Sequence, residues 1–342
     1  MNHSSMNRRE ILKASSVAAA GLLLSPWLRT ALGADVSSAP RKKVLFFTKS
    51  AGFQHSPIKR SAEDPTKLAY AEQILTDLGA ANGFDVTCSK DGRVFAPDSI
   101  RQFDLFAFYT TGDLTKDSDK FATKKGDDGK DVADPTKLLW KEPGMPPGAK
   151  EAFFEAIKQG KGFVGFHSAT DTFHSPHHVR GTVEILRNID EKGEDEFDPY
   201  IKMIGGEFIV HGKQQESALI PVDPNFPGAA GFKDKRFIEE WYALKNFSRD
   251  LHVILAQDCT GMNGNMYQRA SYPETWARMH GKGRVFYTSL GHREDVWQKP
   301  EFTALTIAAL NWASGRIDAD VTPNFKQATP DAEKVTSAAK QG

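Results

Sequence analysis

The sequence predicts an α/β protein with a mostly parallel sheet covered by helices on both faces. Three observations carry this. The runs Val44–Thr48, Leu105–Tyr109 and Gly162–Phe166 are continuously apolar rather than alternating, as in strands buried on both sides. Helical patterns lie between such runs, the rhythm of strand–helix–strand units. The third run then breaks into His167-Ser168-Ala169-Thr170-Asp171. This small-residue turn occupies the place where open-sheet hydrolases lift a nucleophile above the sheet edge. Here the turn carries an imidazole.

In chain order, residues 1–33 read as a twin-arginine leader. Asn7-Arg8-Arg9-Glu10-Ile11-Leu12-Lys13 precedes the apolar stretch 14–24 and the small-x-small site Ala31-Leu32-Gly33. The plainer alternative is an amphipathic N-terminal helix. The apolar stretch falls short of the roughly 20 residues of a stable span. Export to the periplasm, with no stable membrane insertion after cleavage, is the expectation; retention by an uncleaved leader is the lesser alternative.

Residues 42–315 are expected to form a single domain. After strand Val44–Thr48 comes a helix at about residues 64–79, with Leu68, Ile74, Leu75 and Leu78 on its apolar face. Strands Phe84–Cys88 and Leu105–Tyr109 follow. Residues 114–146 are rich in Lys, Asp, Gly and Pro. They read as an insertion loop across the mouth of the sheet, or a surface excursion. The spacing of Asp127, Asp128, Asp131 and Asp134 does not fit a calcium loop. A helix at 147–159 leads into the strand before His167. Past residue 200 the pattern turns strand-rich, with extended runs at 217–222, 251–256, 274–279 and 284–290. A helix at 300–313 closes the domain, and residues 316–342 read as a loose polar tail.

Composition excludes some functions. Formal net charge is zero, and no basic stripe interleaved with aromatics marks a nucleic-acid surface. The two cysteines, Cys88 and Cys259, lie far apart in sequence and follow strand-like runs, which favours two buried thiols over a bridge. No zinc-type Cys/His spacing occurs.

Five of the ten histidines stand in turn-like contexts: His55, His167, His211, His280 and His292. Loops at the carboxyl ends of parallel strands converge on one edge, where ligands bind. Convergence there would make these histidines proton-moving groups or ligands of a divalent metal ion. The plainer reading is five turn residues bonded to backbone. His174, His177 and His178 would wall a loop after the turn, and His252 would be structural. Asp171, close behind His167, and the adjacent Glu239 and Glu240 are the candidate carboxylate partners. The plainer reading is a solvated pair before a core tryptophan, which fits Glu239 as well as a site role does and fits Glu240 less well. Trp241 and Tyr242 could stack on a sugar face. Arg293 could clamp a polar ligand, or simply pair with Glu294 or Asp295.

Several motifs together resemble the ThuA-like, or trehalose-utilisation, family. They are Lys43–Thr48 with Gly52-Phe53-x-His55, Gly165-Phe166-His167-Ser168-Ala169, Gly205-Gly206-x-Phe208-x-x-His211, Glu240-Trp241-Tyr242, and the run Trp276 to His292. The last is the most specific, and the resemblance spans residues 42–314. It implies a flavodoxin-like sheet similar to class I glutamine amidotransferases, and a link to trehalose and related disaccharides through 3-keto sugars. The amidotransferases carry a cysteine at the elbow; here His167 stands there, so glutamine hydrolysis through a thioester is disfavoured. The longer segment 114–146 puts substrate size in question.

The leading expectation is an exported enzyme acting on a disaccharide or keto-sugar derivative. His167, Glu240 and His292 would be catalytic. His55, Asp171, Trp241, Tyr242 and Arg293 would bind substrate. His55, His167, His211, His280 and His292 would be metal ligands if an ion assists. The partner is a small carbohydrate, and a homodimer stays open. Competing expectations are a non-catalytic carbohydrate-binding module that stacks sugars on Trp241, Tyr242, Trp276 and Trp297, and an amidohydrolase-like relative without a cysteine nucleophile.

Overall fold

Alternation along the first strand sets the layers. In β1 (Lys42–Phe47), Leu45 and Phe47 point into one apolar cluster while Val44 and Phe46 point into another on the opposite face. The computed structural model describes residues 40–176 and 197–334. The leader, His177 and His178 lie outside them. β1 is flanked by β2 (Phe84–Ser89) and β3 (Leu105–Phe108), followed outward by β6 (Gly162–Phe166) and β13 (Gly283–Thr288), all parallel. Taken in chain order, these five run second, first, third, fourth, fifth, which is the flavodoxin-like order.

The strand-rich C-terminal half extends this parallel core with antiparallel neighbours. Beyond β13 lie β12 (Tyr272–His280), β11 (His252–Gln257), β8 (Gln215–Pro221) and β9 (Arg236–Glu239). A separate two-stranded sheet pairs β7 (Glu207–His211) with β10 (Tyr242–Lys245). Phenylalanines fill one face of the core: Phe95, Phe106, Phe108, Phe153 and Phe163 interlock with ring centroids 5.2–6.1 Å apart. The other face packs Phe46, Phe166 and Phe302 around Trp297. Among the described residues, no helix is long and apolar enough to cross a membrane.

Three segments differ from expectation. The first helix begins at Tyr70 and runs to Ala81. Asp64 instead closes a turn by accepting from the Thr66 N–H (3.1 Å) and hydroxyl, and Glu72 caps the helix start through the Ala69 N–H at 2.8 Å. Residues 114–146 are not a plain loop. They contain a hairpin of β4 (Lys120–Lys125) and β5 (Asp131–Trp140), turned at Gly126–Lys130 with Gly129 at φ 76°. An Asp-Gly pair is a hairpin signal that the high lysine content obscured. The hairpin base is tied to the end of β1, where Lys120 Nζ and Ser118 Oγ both donate to the Ser50 carbonyl. The polar tail is docked as far as it is described. Phe325 and Ala332 bury in the core, and Asn324 Oδ1 takes the Val253 N–H at 2.6 Å. These apolar anchors, with backbone bonds from Asn324 and Phe325 to the Leu251 carbonyl, hold an otherwise polar strap.

Close backbone approach explains one glycine. A Cβ on Gly283 would stand 2.2 Å from the Ile157 carbonyl in helix Ala149–Lys158. Gly283→Ala is expected to destabilise by about 1–3 kcal/mol, because helix and strand must separate. Denaturant unfolding reads this directly, and an unchanged midpoint would contradict the packing.

Candidate active site

Three of the parallel strands, β1, β6 and β13, each lead into a segment that delivers one histidine. At the end of β6, Gly165 leaves room that a Cβ would fill, 3.0 Å from the Tyr287 ring and 3.1 Å from Ala169. His167 then takes a left-handed backbone at φ 41° and opens the short turn His167–Asp171. That conformation costs a β-carbon residue about 1–2 kcal/mol. The turn is held against it: Tyr287 donates to the His167 carbonyl at 2.7 Å, and His167 Nδ1 meets the Ser289 carbonyl at 2.7 Å. A carbonyl can only accept, so Nδ1 carries the proton and Nε2 offers its lone pair.

His55 follows β1 and is buried, with Nε2 3.2 Å from the Tyr242 hydroxyl. Its Nδ1 is buried without a hydrogen-bond partner among the described residues. His292 follows β13. Its preceding glycine, Gly291 at φ 110°, is clamped on both sides. The Gly291 carbonyl accepts from Tyr109 (3.1 Å) and Trp297 (2.9 Å), and its N–H donates to Glu239 at 3.0 Å. Glu240 enters from the link between β9 and β10. Pairing of β10 with β7 sets Tyr242 directly across from His211.

The result is a quartet. One ligating atom from each of His55, His167, Glu240 and His292 lies within 4.8 Å of the others. Glu240 Oε2 stands 3.0 Å from His292 Nδ1, 3.5 Å from His167 Nε2 and 3.9 Å from His55 Nε2. His167 Nε2 and His292 Nδ1 are 3.2 Å apart. The other carboxylate oxygen, Oε1, faces His211 Nδ1 at 3.2 Å.

Burial sets the charges. Desolvation, then the neighbouring imidazoles, pushes His55 far below its ordinary range. Desolvation also lowers His167 to about 4, against the raising effect of Glu240. Both are neutral at physiological pH. Burial alone would raise Glu240, but its contacts with the His167 and His292 imidazoles outweigh it and hold the carboxylate ionised. Burial likewise lowers His292, but Glu240 wins and the net direction is upward. The site is thus two neutral imidazoles, one carboxylate, and a third imidazole leaning on that carboxylate.

The other sequence-predicted residues have different places. His211 is exposed at the rim and touches Glu240. Tyr242 is buried with its ring centroid 4.1 Å from that of His167. Arg293 reaches the site only indirectly: it donates to Gln214 Oε1 at 2.9 Å, and the same amide stands 2.9 Å from His292 Nε2. It also pairs with Asp295 at 2.8 Å, the plainer role read for it. Asp171 lies 2.7 Å from His174 Nε2, outside the quartet. Trp241 is fully buried, its Nε1 donating to the Gln215 carbonyl, so it offers no face to a ligand. Trp276 and Trp297 are buried as well. His280 is not in the cluster. It ends β12 opposite Gly283, the first residue of β13. Because β12 runs antiparallel, its carboxyl end lies at the edge opposite His292. His252 is structural as expected, joining Asp223 and the Thr322 carbonyl. Cys88 and Cys259 are free thiols, each pushed up to about 12, chiefly by burial.

Gln214 and Tyr109 were not legible as site residues, and the sequence left Glu239 open between a site carboxylate and a solvated one. Glu239 is fully buried, raised to about 7 by desolvation, and accepts from the Glu240 and Gly291 N–H groups. It positions both the Glu240 link and the His292 turn. Glu239→Ala is expected to cost about 1–3 kcal/mol for each N–H left unpaired. Thermal unfolding checks this; a variant as stable as wild type would show that water replaces the carboxylate.

Fold and site together define a flavodoxin-like α/β protein with a histidine–carboxylate cluster at the carboxyl edge of its parallel strands. Residues 137–313, just over half the chain, match the family model ThuA, described as trehalose utilisation. The chain belongs to the ThuA family. A solved ThuA-like protein from Bacteroides uniformis ATCC 8492 is similar in fold, with a TM-score of 0.51 and 16% identity over 82% of this chain and 94% of that one. Another, from Parabacteroides merdae ATCC 43184, has a TM-score of 0.48 and 16% identity over 85% and 97%. No curated protein matches the chain.

Proposed function

We propose that this ThuA-family chain is an exported carbohydrate-processing enzyme that acts on a disaccharide or its keto derivative, with a divalent metal ion at the quartet. The convergence of His55, His167, His292 and Glu240 from four separate segments carries the reading. The family description, trehalose utilisation, supports the substrate class. The donor set suits a divalent cation. Two imidazoles are held neutral, the His167 lone pair is turned inward by the Ser289 carbonyl, and Glu240 supplies negative charge. A metal ion there would polarise a sugar carbonyl as a Lewis acid.

The remaining chemistry falls to the chain. A ketone acidifies the neighbouring C–H bond. Loss of that proton and departure of the glycosidic oxygen β to the carbonyl leave an enone and a free sugar. The proton goes to a base, and the leaving oxygen receives one from an acid. His211 is placed for this exchange, since it lies against Glu240 Oε1 and is open to solvent. His55, His167 and His292 orient the reacting ring from the buried side, where Tyr109 and Tyr242 exclude water.

The test is elemental analysis of the purified protein beside turnover of a 3-keto-disaccharide and its parent. Stoichiometric divalent metal with activity on the keto derivative supports the reading. Metal-free protein with full activity would overturn the metal part, and inactivity on both sugars the substrate part. Export is tested by cell fractionation with Arg8 and Arg9 changed to lysine, which should leave the protein in the cytoplasm.

A further inference from the structure

Among the described residues, Phe53 is the one aromatic side chain that stands as an exposed large hydrophobic, at 69% exposure. It stands beside the quartet, against His55. Its ring centroid lies 5.0 Å from that of His55, at an interplanar angle of 81°. The expected sugar-stacking rings Trp241, Tyr242, Trp276 and Trp297 are all buried, so Phe53 alone among these five presents a face.

The backbone beneath Phe53 is fixed. The Ala51 and Gly52 N–H groups both donate to the Thr111 carbonyl, at 2.9 and 3.2 Å. Thr111 Oγ1 returns a bond to the Phe53 carbonyl at 2.8 Å. The next residue, Gly112, donates to the Asp171 carbonyl at 2.7 Å, which ties the segment to the His167 turn. The backbone that carries the ring is therefore held at a set position relative to the quartet, and only side-chain rotation remains to be ordered on binding.

We propose that Phe53 is the platform for the leaving-group sugar, the half of the disaccharide that does not carry the carbonyl. The proposal rests on the carbohydrate reading above. A pyranose ring has an apolar C–H face that an aromatic ring covers well, while its hydroxyls stay in water. The width of one imidazole, His55, separates Phe53 from the point where the donor atoms meet. A sugar resting on Phe53 is thus the neighbour of the reacting ring and not the reacting ring itself.

The experiment compares Phe53→Ala and Phe53→Trp with wild type on 3-keto-trehalose and on methyl 3-keto-glucoside, which lacks the second sugar. For Phe53→Ala, KM for the disaccharide is expected to rise about tenfold with kcat nearly unchanged, since the contact is made equally in ground and transition states. The methyl glycoside should be unaffected, and Phe53→Trp should restore the disaccharide. Metal content and unfolding midpoint should match wild type, since the ring is exposed. Equal losses on both substrates would overturn the proposal and show that Phe53 acts by positioning His55. Unchanged KM for the disaccharide would overturn it too. A wild type that neither binds nor turns over either sugar would instead remove the carbohydrate reading, and the platform with it.

Discussion

His167→Asn is expected to lower turnover by on the order of a hundred- to ten-thousandfold and to release stoichiometric divalent metal, with the fold retained. Asparagine is the informative replacement. His167 sits at φ 41°, a backbone that asparagine adopts more readily than alanine. The substitution therefore removes the imidazole without adding backbone strain at the turn. The Tyr287 bond to the residue 167 carbonyl does not depend on the side chain and should persist. Elemental analysis, turnover and an unfolding midpoint on one preparation separate the outcomes. A folded variant with wild-type activity would place the chemistry elsewhere. A folded variant that keeps its metal but loses turnover would make His167 an acid–base group and not a ligand.

The second large effect is acid sensitivity of the chelator-treated protein. His167 is buried and neutral, with its value lowered from 6.5 to about 4, chiefly by desolvation, and His55 moves in the same direction. Between these values and 6.5 the unfolded chain binds protons that the folded chain does not. Stability is thus fully present above about pH 6.5 and is lost as pH falls towards 4. For His167 alone, two pH units of this window correspond to about 2–3 kcal/mol. His292, raised by Glu240, works in the opposite sense and is common to wild type and variant. The measurement is therefore the difference in denaturant midpoint between pH 7 and pH 4.5, for chelated wild type against chelated His167→Asn. Wild type should lose more. Equal losses would mean that His167 is solvated and charged in the folded state.

Much of the fold was legible, because strand burial is written locally. Continuous apolar runs at Val44–Thr48 and Gly162–Phe166 appear as β1 and β6, and helix Pro300–Ala313 has the predicted bounds. Errors arose where local composition and tertiary role diverge. Lysines and aspartates in 114–146 hid a hairpin, and a polar tail hid two apolar anchors. The histidines split in the same way. Loops after β1, β6 and β13 converge because those strands are parallel, and their histidines meet. His280 follows an equally strand-like run, but its strand is antiparallel.

By itself, the sequence determined the alternation of buried strands and helices, the imidazole at the turn after β6, and the motifs that mark the ThuA family. These depend on which residues are neighbours along the chain. Only the tertiary structure decided which histidines meet, that Glu240 faces them while Trp241 turns into the core, and that Phe53 and not a tryptophan is exposed beside them. Strand direction and the side of a link on which a side chain falls are set by pairing between distant segments. A one-residue difference in a link, Glu240 against Trp241, separates a side chain in the site from one in the core.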